Sequence, residues 1–556
     1  QEVMRRPTIE GVTKAPVPTL NEEQETVVHG LESLGGGDTA AAALLYGVTG
    51  SGKTQIYIRL IHTLLKQGKT AMVLVPEIVL TPQLLRIFTA QFGDSIAILH
   101  SSLRVGERFD EWKRVKRGEA TVVLGTRSAV FAPLQNIGAI ILDEEQEMSY
   151  KSENTPRYHA REVAKFRCVE NNCLLLLGSA TPSIESMYFA KTGKYHLFEL
   201  RKRFNQGELP EVTIIDMKEE LRRGNSSSVS GRLVEEISRN IQKGEQSILF
   251  LNRRGSNRLV SCGECGEVPD CPNCSVRLTY HAANGRLMCH YCGHSKPLPP
   301  ECPSCGGLLN FVGIGTQQVQ DDLEEIFTQH EILRMDSDTI SAAHPHEEML
   351  SKFQHKNIPV LVGTQMVAKG LDFENVTLVG VISADLSLFS QDIWAAERTF
   401  SLITQVVGRA GRGGKVGRAI IQTYTPQNEV VLCAARQDYD SFYEQEISQR
   451  SQTGHPPFSE VIVIFASGEN ENAVIRLLQR YRGGLVEGLH RINQSPLILG
   501  PAPAPVTKMK QRYRHQITLL ATPTAPLREL LAHLLVAAQQ DKEARGVSVY
   551  IDRQLH

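Results

Sequence analysis

Short apolar runs alternate with longer stretches of helical periodicity over most of the chain. A first group, before residue 200, contains ALLYG, TAMVLVP, ATVVLGT, GAIILDEE and CLLLLGSAT. Runs that are apolar throughout and end in polar, Gly-rich turns are typical of buried parallel strands whose carboxyl ends carry function. The pattern therefore predicts an α/β layer of parallel strands and helices in this part of the chain.

A second group of runs lies between about residues 210 and 430, and a third lies beyond it. QSILFLNRRG, ILRMD, IPVLVGTQ, VTLVGVISAD and RAIIQTYTP predict another α/β layer. EVIVIFAS, HQITLLAT and VSVYID, with the helical AVIRLLQRYRGGLVEGL, predict a separate α+β domain. We therefore divide the chain into a Pro-punctuated linker (1–20), a first lobe (21–205), a second lobe (206–257 plus 309–435), a Cys-rich insertion (258–308) and a C-terminal α+β domain (436–556).

Composition narrows the class of protein without identifying it. The 556 residues carry 60 Lys plus Arg against 61 Asp plus Glu, so any nucleic-acid site must be a local basic patch. No run is long enough to span a membrane and no export signal is present, so we expect a cytoplasmic protein in a reducing compartment. The chain begins at Gln1, so we expect a fragment or a processed form.

The stretch GVTGSGKT fits a phosphate-binding loop in its required context. It follows the strand-like AALLY and precedes the helix-like QIYIRLIHTLLKQ, which argues against a chance match in a Gly-rich turn. Backbone N–H groups of such a loop close around phosphates, Lys53 adds a positive charge at the β- and γ-phosphates, and the Thr54 hydroxyl ligates Mg²⁺. The predicted nucleotide-binding residues are Gly47, Val48, Thr49, Gly50, Ser51, Gly52, Lys53 and Thr54.

Two further segments complete an ATP-hydrolysing site. The buried run AIILDEE delivers Asp143 to hold Mg²⁺ and Glu144 to orient and deprotonate the attacking water. QVVGRAGRG places Arg409 and Arg412 on one face of a helix, where an arginine from another lobe can stabilise charge on the γ-phosphate. Either segment alone would also suit a solvated charged surface. Together with the phosphate-binding loop they predict ATP hydrolysis.

Eight of the eleven cysteines lie in four CxxC pairs between residues 262 and 305. In a reducing compartment such pairs are more often metal ligands than disulfides, and eight thiolates suit two tetrahedral, structural Cys₄ zinc sites. CPNCSVRLTYHAANGRLMCHYC has the form of a zinc ribbon with an NG hairpin turn, which favours nested pairing, although spacing leaves interleaved pairing open. In the nested arrangement one zinc ion has the ligands Cys271, Cys274, Cys289 and Cys292, and the other has Cys262, Cys265, Cys302 and Cys305.

The motifs follow one another in an order that resembles the motor of superfamily 2 helicases. In sequence they are NEEQ, GVTGSGKT, LVPEIVLTPQ, GTRSAVFAPL, DEEQE, GSATPS, LFLNRRG, VGTQMVAKGLDFENVTLV and QVVGRAGRG. The cysteines directly after LNRRG narrow the resemblance to the bacterial primosomal replication-restart helicases, the primosomal protein N′ family, from about residue 20 onward. The resemblance implies two RecA-like lobes with ATP between them and the zinc-binding insertion in the second lobe.

The resemblance also implies an activity and partners. It implies 3′-to-5′ movement on DNA, recognition of branched DNA at abandoned forks and help in reloading the replicative helicase. We therefore expect branched and single-stranded DNA, primosome and helicase-loading proteins and single-stranded-DNA-binding protein as partners, and a monomeric chain. Two other activities stay open: a fork-remodelling translocase on double-stranded DNA, and a DNA-binding zinc scaffold with ATP as a conformational switch.

Several residue roles in the cleft come from the resemblance. Gln24 would contact adenine, and Gln405, Arg409 and Arg412 would complete the ATP site from the second lobe. Family members often carry His after the acidic triplet, whereas Gln146 stands here, and an amide can hydrogen-bond but cannot titrate. The family's amino-terminal DNA-binding part does not precede the motor in this sequence, so we expect weaker fork-specific binding.

DNA contacts are also implied by the resemblance. GTRSA (Gly125–Ala129) would hold DNA phosphate, and QEMSYKSENTPRYHARE would couple DNA contact to hydrolysis. Its Tyr150, Tyr158 and His159 suit base stacking or structural packing equally well. The basic TKMKQRYRH (507–515) suits a DNA backbone or a solvated hairpin tip equally well. The residues expected along the DNA track and cleft are Gly363, Thr364, Gln365 and Asp372.

Overall fold

The computed structural model describes most of the chain. Gln365, Asp372 and Arg412 of the predicted ATP and DNA sites lie outside the described residues, as do Cys274 and Cys292 of the predicted zinc ligands. The described residues are 5–7, 13–35, 39–77, 79–202, 210–251, 259–262, 264–265, 267, 269–272, 277–281, 285–289, 293–312, 315–336, 339, 346–356, 358–364, 373, 375–384, 388, 392–411 and 415–554.

A seven-stranded sheet forms the first lobe. Its strands are β1 (Ala41–Gly47), β2 (Thr70–Leu74), β3 (Ile96–Leu99), β4 (Val122–Gly125), β5 (Ile137–Asp143), β6 (Leu174–Ser179) and β7 (His196–Leu200). They pair in parallel in the order β3-β4-β2-β5-β6-β1-β7. Leu174 and Leu176 enter one hydrophobic cluster, and Leu175 and Leu177 enter the cluster on the opposite face. The continuous apolar runs are therefore strands buried on both faces, as predicted.

Six helices cover the two faces of this sheet. They are α1 (Glu22–Gly35), α2 (Lys53–Lys66), α3 (Pro82–Phe92), α4 (Val105–Lys116), α5 (Ala160–Asn171) and α6 (Ile184–Lys191). Apolar side chains of α1, α2 and α3 enter one cluster, and those of α4, α5 and α6 enter the other. Helix α6 begins where the Ser183 hydroxyl accepts a hydrogen bond from Ser186 N. These helices cover the faces of the sheet but not its carboxyl edge, where the functional loops lie.

The second lobe is a six-stranded parallel sheet. Its strands are β8 (Glu211–Asp216), β9 (Gln246–Leu251), β15 (Ile332–Met335), β16 (Val360–Gly363), β17 (Val376–Ile382) and β18 (Arg418–Thr423). They pair in the order β15-β16-β9-β17-β18-β8. Its helices are α7 (Met217–Arg222), α8 (Gly231–Lys243), α9 (Thr316–Ile326), α10 (His346–His355), α11 (Ala395–Val407) and α12 (Glu429–Arg436).

Short antiparallel strands between β9 and β15 form the Cys-rich insertion. They are β10 (Leu259–Cys262), β11 (Thr279–His281), β12 (Arg286–Met288), β13 (Ser295–Pro297) and β14 (Leu309–Val312). β10 pairs with β14, and β11, β12 and β13 form a separate three-stranded sheet. The hairpin predicted at the NG turn is confirmed, because Thr279 pairs with Met288 and His281 pairs with Arg286.

An antiparallel sheet and two helices form the C-terminal domain. Its elements are β19 (Glu460–Gly468), α14 (Glu471–Arg491), β20 (Leu497–Met509), β21 (Arg512–Ala521), α15 (Ala525–Gln539) and β22 (Ser548–Gln554). The strands pair in the order β20-β21-β19-β22. Strand β20 was not predicted, because its PAPAPV segment looks unlike a strand. Proline cannot donate to a ladder but is tolerated on an edge strand, and β20 lies at the edge of this sheet.

The helix α13 (Tyr439–Thr453) lies after the predicted boundary at residue 435, yet it packs with the motor. Tyr439, Phe442 and Tyr443 enter the same hydrophobic cluster as the two lobes. The Tyr439 hydroxyl donates to Pro182 O at 2.8 Å. The packed core of the C-terminal domain therefore begins only at β19.

Among the described residues, no helix is both long enough and apolar enough to cross a bilayer.

Candidate active site

The phosphate-binding loop joins β1 to α2 at the carboxyl edge of the first sheet. Helix α2 begins at Lys53, directly after Gly52, whose φ of 83° suits glycine. A side chain at Gly52 would also collide with Gln24, whose Nε2 atom lies 2.3 Å from the ideal Cβ position. Lys53 Nζ donates to Gly47 O at 2.8 Å. The loop amides, the Lys53 charge and the positive end of α2 thus converge where phosphates can bind.

Gln24 is fully buried against this loop. Its Nε2 atom donates to Ser51 O at 3.0 Å, and its Oε1 atom accepts from Asn21 N at 3.0 Å. The structure therefore places the residue predicted to contact adenine directly on the phosphate-binding loop. Among the described residues, Ser51 Oγ is buried without a protein hydrogen-bond partner. An unpaired buried hydroxyl is costly, so its position fits a polar ligand in the loop.

Asp143 ends β5 beside the phosphate-binding loop. Burial, followed by the charge of Glu144, raises the pKa of Asp143 to about 6, while Lys53 and the Tyr57 hydroxyl oppose that rise. Tyr57 OH donates to Asp143 Oδ1 at 2.9 Å. Burial raises the pKa of Tyr57 well above its ordinary value, so the phenol stays a neutral donor. Gly178 is needed nearby, because its ideal Cβ position lies 1.8 Å from Tyr57 OH.

The Tyr57→Phe variant is expected to shift the acid limb of kcat/KM for ATP upward by about one pH unit. The Tyr57 hydrogen bond favours the Asp143 carboxylate, so its loss raises the pKa of Asp143 above about 6. At the predicted Mg²⁺ site, a proton would then compete with the metal ion for the Asp143 carboxylate at higher pH. The measurement is ATP hydrolysis at low ATP across pH 5 to 8, with Mg²⁺ in excess.

A matched control for that variant is Tyr481→Phe, which removes a buried hydroxyl that donates to Leu531 O at 3.2 Å. It should leave the acid limb in place. An unmoved acid limb in Tyr57→Phe would contradict the assignment.

The raised pKa of Asp143 also affects the stability of the folded protein. Since the folded-state pKa of Asp143 lies above its ordinary value of about 3.9, folding favours the protonated form. The stability from this group is therefore lost as pH rises through about 6.

Glu144 starts a run of hydrogen bonds within the first lobe. Gln146 Nε2 donates to Glu144 Oε2 at 2.8 Å, and Ser179 Oγ donates to Gln146 Oε1 at 2.6 Å. Thr181 N in turn donates to Ser179 Oγ at 2.8 Å. Gln146 therefore joins Glu144 of DEEQ to Ser179 of GSATPS through two hydrogen bonds. An amide can make both bonds but cannot titrate.

The second lobe closes this run into a ring. Thr181 Oγ1 and Ser401 Oγ lie 2.7 Å apart, and Gln405 Nε2 donates to Glu144 Oε2 at 3.2 Å and to Ser401 Oγ at 3.5 Å. We call Glu144, Gln146, Ser179, Thr181, Ser401 and Gln405 the interlobe ring. Separation of the two lobes at this point would break the bond from Gln405 to Glu144. Among the described residues, Gln405 Oε1 is buried without a protein partner, which suits a hydrogen bond from a water molecule.

The segment after α11 touches the phosphate-binding loop at Gly408. The ideal Cβ position of Gly408 lies 3.1 Å from Thr49 Cγ2, so the two lobes touch here. Arg409 directly follows Gly408 and is half-buried. The predicted Arg412 lies outside the described residues.

Buried charges also join the lobes, although no pattern in the sequence predicts them. Arg450 of α13 donates to Glu397 at 2.9 Å and to Glu446 at 2.8 Å. Glu397 accepts from Ile184 N at 3.3 Å, and Trp394 Nε1 donates to Glu185 at 3.2 Å. Their positions in sequence are far apart, and only the fold brings them together. Tyr57, by contrast, lies four residues after Lys53 on a helix and could have been found by spacing.

Two of the predicted DNA-contacting segments, GTRSA and the one that begins at Gly363, lie at the carboxyl edges of the two sheets, whereas TKMKQRYRH (507–515) spans the β20–β21 hairpin. Within GTRSA, Thr126 is buried and Ser128 is exposed. Gly363 ends β16, and Thr364 follows it half-buried. Arg127 donates to Ser149 O at 3.1 Å and also to Lys151 O. GTRSA is therefore joined directly to the segment that follows DEEQ.

All three aromatic residues of that segment make contacts within the protein, and two of them, Tyr150 and His159, are buried. Tyr150 is fully buried, and its hydroxyl donates to Leu74 O at 2.9 Å and to Asp143 O at 2.6 Å. His159 caps α5, with Nδ1 accepting from Arg161 N at 3.2 Å. Tyr158 packs edge-on against Phe131, with ring centroids 4.8 Å apart.

Four cysteines of the insertion form a cluster with the chemistry of a zinc site. The sulfurs of Cys262, Cys265, Cys302 and Cys305 lie within 4.8 Å of one another. Cys262 lies 3.4 Å from Cys305, and Cys265 lies 3.6 Å from Cys302. A tetrahedron with Zn–S bonds of about 2.3 Å has edges of about 3.8 Å, so the four thiols fit zinc. The cluster contains the two outer CxxC pairs, which is the grouping that nested pairing predicts.

Only one cysteine of each inner CxxC pair lies among the described residues. Cys271 and Cys289 are buried in a small cluster with Val260, Leu278 and Leu287. Their predicted co-ligands Cys274 and Cys292 lie outside the described residues. Cys168, Cys173 and Cys433, the three cysteines outside the CxxC pairs, are buried in the motor core.

Family models match four parts of the chain. They describe a DEAD/DEAH box helicase (21–188), a helicase conserved C-terminal domain (313–414), a PriA DNA helicase Cys-rich region domain (271–297) and a primosomal protein N C-terminal domain (451–554). With the two parallel-sheet lobes, they define an ATP-dependent DNA helicase that has two RecA-like lobes and a Cys-rich region in the second.

Curated relatives then give the family. The replication restart protein PriA of Bacillus subtilis (strain 168) is 43% identical over 99% of this chain and 68% of its own length. Those of Synechocystis sp. (strain ATCC 27184 / PCC 6803 / Kazusa) and Treponema pallidum (strain Nichols) are 43% and 39% identical, over 92% and 98% of this chain and 61% and 80% of their own lengths. The chain belongs to the PriA family.

A solved structure of RecG bound to a three-way DNA junction is also similar. It aligns with a TM-score of 0.46 at 14% identity, over 78% of this chain and 47% of that chain.

Proposed function

We propose that the chain is the motor of a replication-restart protein. ATP hydrolysis between the lobes drives it 3′ to 5′ along DNA, where it separates strands of branched DNA so that replication can resume. The observation that carries the proposal is the interlobe ring, because it ties Glu144 in lobe one to Gln405 in lobe two. The restart role is supported by the names of the relatives, and the polarity by resemblance to the family.

Residues of both lobes take part in the proposed hydrolysis. Lys53 and the loop amides bind the phosphates, and Thr54 and Asp143 hold Mg²⁺, which supplies charge neutralisation when bound. Glu144 orients the attacking water and accepts its proton, while Gln405 holds the Glu144 carboxylate. Arg409 and Arg412 stabilise the charge that develops on the γ-phosphate. Gln24 contacts adenine through its second amide hydrogen and its second carbonyl lone pair, because its hydrogen bonds within the protein use only one of each.

DNA and zinc have separate places in this proposal. GTRSA and the segment from Gly363 to Gln365 contact single-stranded DNA, and Asp372 contributes to the cleft. The eight insertion cysteines hold two structural zinc ions, one at the outer cluster and one at the inner pairs. The insertion then docks partner proteins at the duplex junction, with primosome, helicase-loading and single-stranded-DNA-binding proteins as candidates. We further propose a monomer that acts in the cytoplasm.

Strand displacement from tailed duplexes tests the proposal. Duplexes with a 3′ or a 5′ single-stranded tail are compared at equal length, with ATP and with a non-hydrolysable analogue. Movement 3′ to 5′ predicts displacement of the strand on the 3′-tailed duplex only, and only with ATP. Displacement from the 5′-tailed duplex alone would contradict the polarity. DNA-stimulated hydrolysis with neither duplex unwound would favour the double-strand translocase.

A further inference from the structure

Residues 147–159 form a loop that touches both the ATP site and GTRSA, and we call it the coupling loop. It directly follows the DEEQ motif, and its Tyr150 hydroxyl donates to Asp143 O at 2.6 Å. On its other side it receives hydrogen bonds from Arg127 of GTRSA at Ser149 O and Lys151 O. The loop thus links Asp143 of the candidate ATP site to GTRSA directly through hydrogen bonds.

The far side of this loop rests on the last strand of the C-terminal domain. Lys151 Nζ lies 2.6 Å from Asp552 Oδ1, and the two side chains are only 12% and 11% exposed. Lys151 Nζ also donates to Arg553 O at 2.9 Å. The Arg157 guanidinium stacks over the Tyr550 ring at 3.6 Å. We call these contacts of Tyr550, Asp552 and Arg553 the β22 anchor.

The β22 anchor restrains the loop at more than one point. Ser152 N donates to Tyr158 O at 2.7 Å, so the loop between Lys151 and Arg157 folds back on itself. Arg553 also reaches Glu162 at the start of α5, at 3.6 Å. A partly buried, hydrogen-bonded lysine is held far more firmly than an exposed one. The loop backbone that receives Arg127 is therefore fixed from the C-terminal domain, some 400 residues away in sequence.

We propose that Asp552 is a positioning residue for DNA-coupled ATP hydrolysis: through Lys151 it holds the coupling loop in the arrangement that joins GTRSA to the ATP site. The inference rests on the proposed function, because it concerns how DNA raises the rate of ATP hydrolysis. Among the described residues, the hydrogen bonds of Asp552 are with Lys151 and Gln554 and not with the predicted ATP site. Its effect should therefore appear in the stimulation by DNA and not in hydrolysis without DNA.

The test compares ATP hydrolysis with and without single-stranded DNA for wild type and Asp552→Asn. The variant is expected to keep the basal rate and to lower the DNA-stimulated rate, or raise the half-saturating DNA concentration, by at least about fivefold. Asp541→Asn is the matched control, because Asp541 pairs with Arg480 at 2.6 Å in the same domain but away from the loop. It should leave DNA stimulation unchanged.

A charge exchange separates positioning from loss of stability. Lys151→Asp alone should lose stimulation, and Lys151→Asp combined with Asp552→Lys should recover most of it. Unchanged stimulation in Asp552→Asn would overturn the inference, as would equal loss of the basal and stimulated rates or a raised basal rate. A wild-type chain that DNA does not stimulate would instead count against the proposed function itself.

Discussion

The Glu144→Gln variant is expected to hydrolyse ATP about 10³-fold more slowly than wild type in the presence of DNA, while still binding ATP. In the proposed mechanism Glu144 accepts the proton of the attacking water, and an amide of the same size cannot. The hydrogen bonds from Gln146 and Gln405 to Glu144 can be kept by the amide oxygen, so the lobes should still meet. Phosphate release at saturating ATP and DNA measures the rate, and a fluorescent ATP analogue measures binding.

The control for this variant is Glu170→Gln, the same chemical change on the exposed side of α5. It should keep the wild-type rate. Hydrolysis by Glu144→Gln at close to the wild-type rate would show that another group serves as the base. Loss of ATP binding together with hydrolysis would show that the change had damaged the site rather than the proton transfer.

The Cys302→Ser variant is expected to lose one of two zinc ions per chain and to become sensitive to proteolysis between residues 258 and 308. The Cys302 thiol is buried within the four-sulfur cluster, 3.6 Å from Cys265. Among its described residues the insertion has only a small hydrophobic cluster of its own, and a structural zinc site contributes on the order of 10 kcal/mol to the folding of such segments. Metal analysis by mass spectrometry and limited proteolysis measure the two effects.

Cys433→Ser is the control for the zinc prediction, because Cys433 is a buried thiol of the motor core. It should keep both zinc ions. Zinc content that is unchanged in Cys302→Ser would contradict the assignment of the outer cluster. Loss of both ions in this single variant would show that the two sites fold as one unit.

Local sequence was enough to predict most of the fold. Each of the ten apolar runs in the two lobes corresponds to a strand, because strands buried on both faces are apolar throughout. Strand β3 (Ile96–Leu99) is only four residues long and β8 (Glu211–Asp216) alternates, so neither stood out as a run. Strand β20 was hidden by its prolines, which only its edge position allows.

The site was predictable where its residues are neighbours in sequence. The phosphate-binding loop and DEE are contiguous motifs, and the structure places them side by side. The interlobe ring was not predictable, because Thr181 and Ser401 are 220 residues apart and their hydroxyls have no pattern in sequence. The choice between stacking and packing for Tyr150 also needed the fold, since only the fold shows its hydroxyl beneath Asp143.

Strand displacement from forked DNA, with ATP hydrolysis followed in the same reaction, tests whether the chain is an ATP-driven motor on DNA. Lys53→Ala is the control, because it removes the charge that binds the phosphates but leaves the lobes in place. We expect wild type to displace a strand and hydrolyse ATP, and Lys53→Ala to do neither. A wild-type chain that hydrolyses ATP no faster than Lys53→Ala, and displaces no strand, would contradict the assignment of a motor.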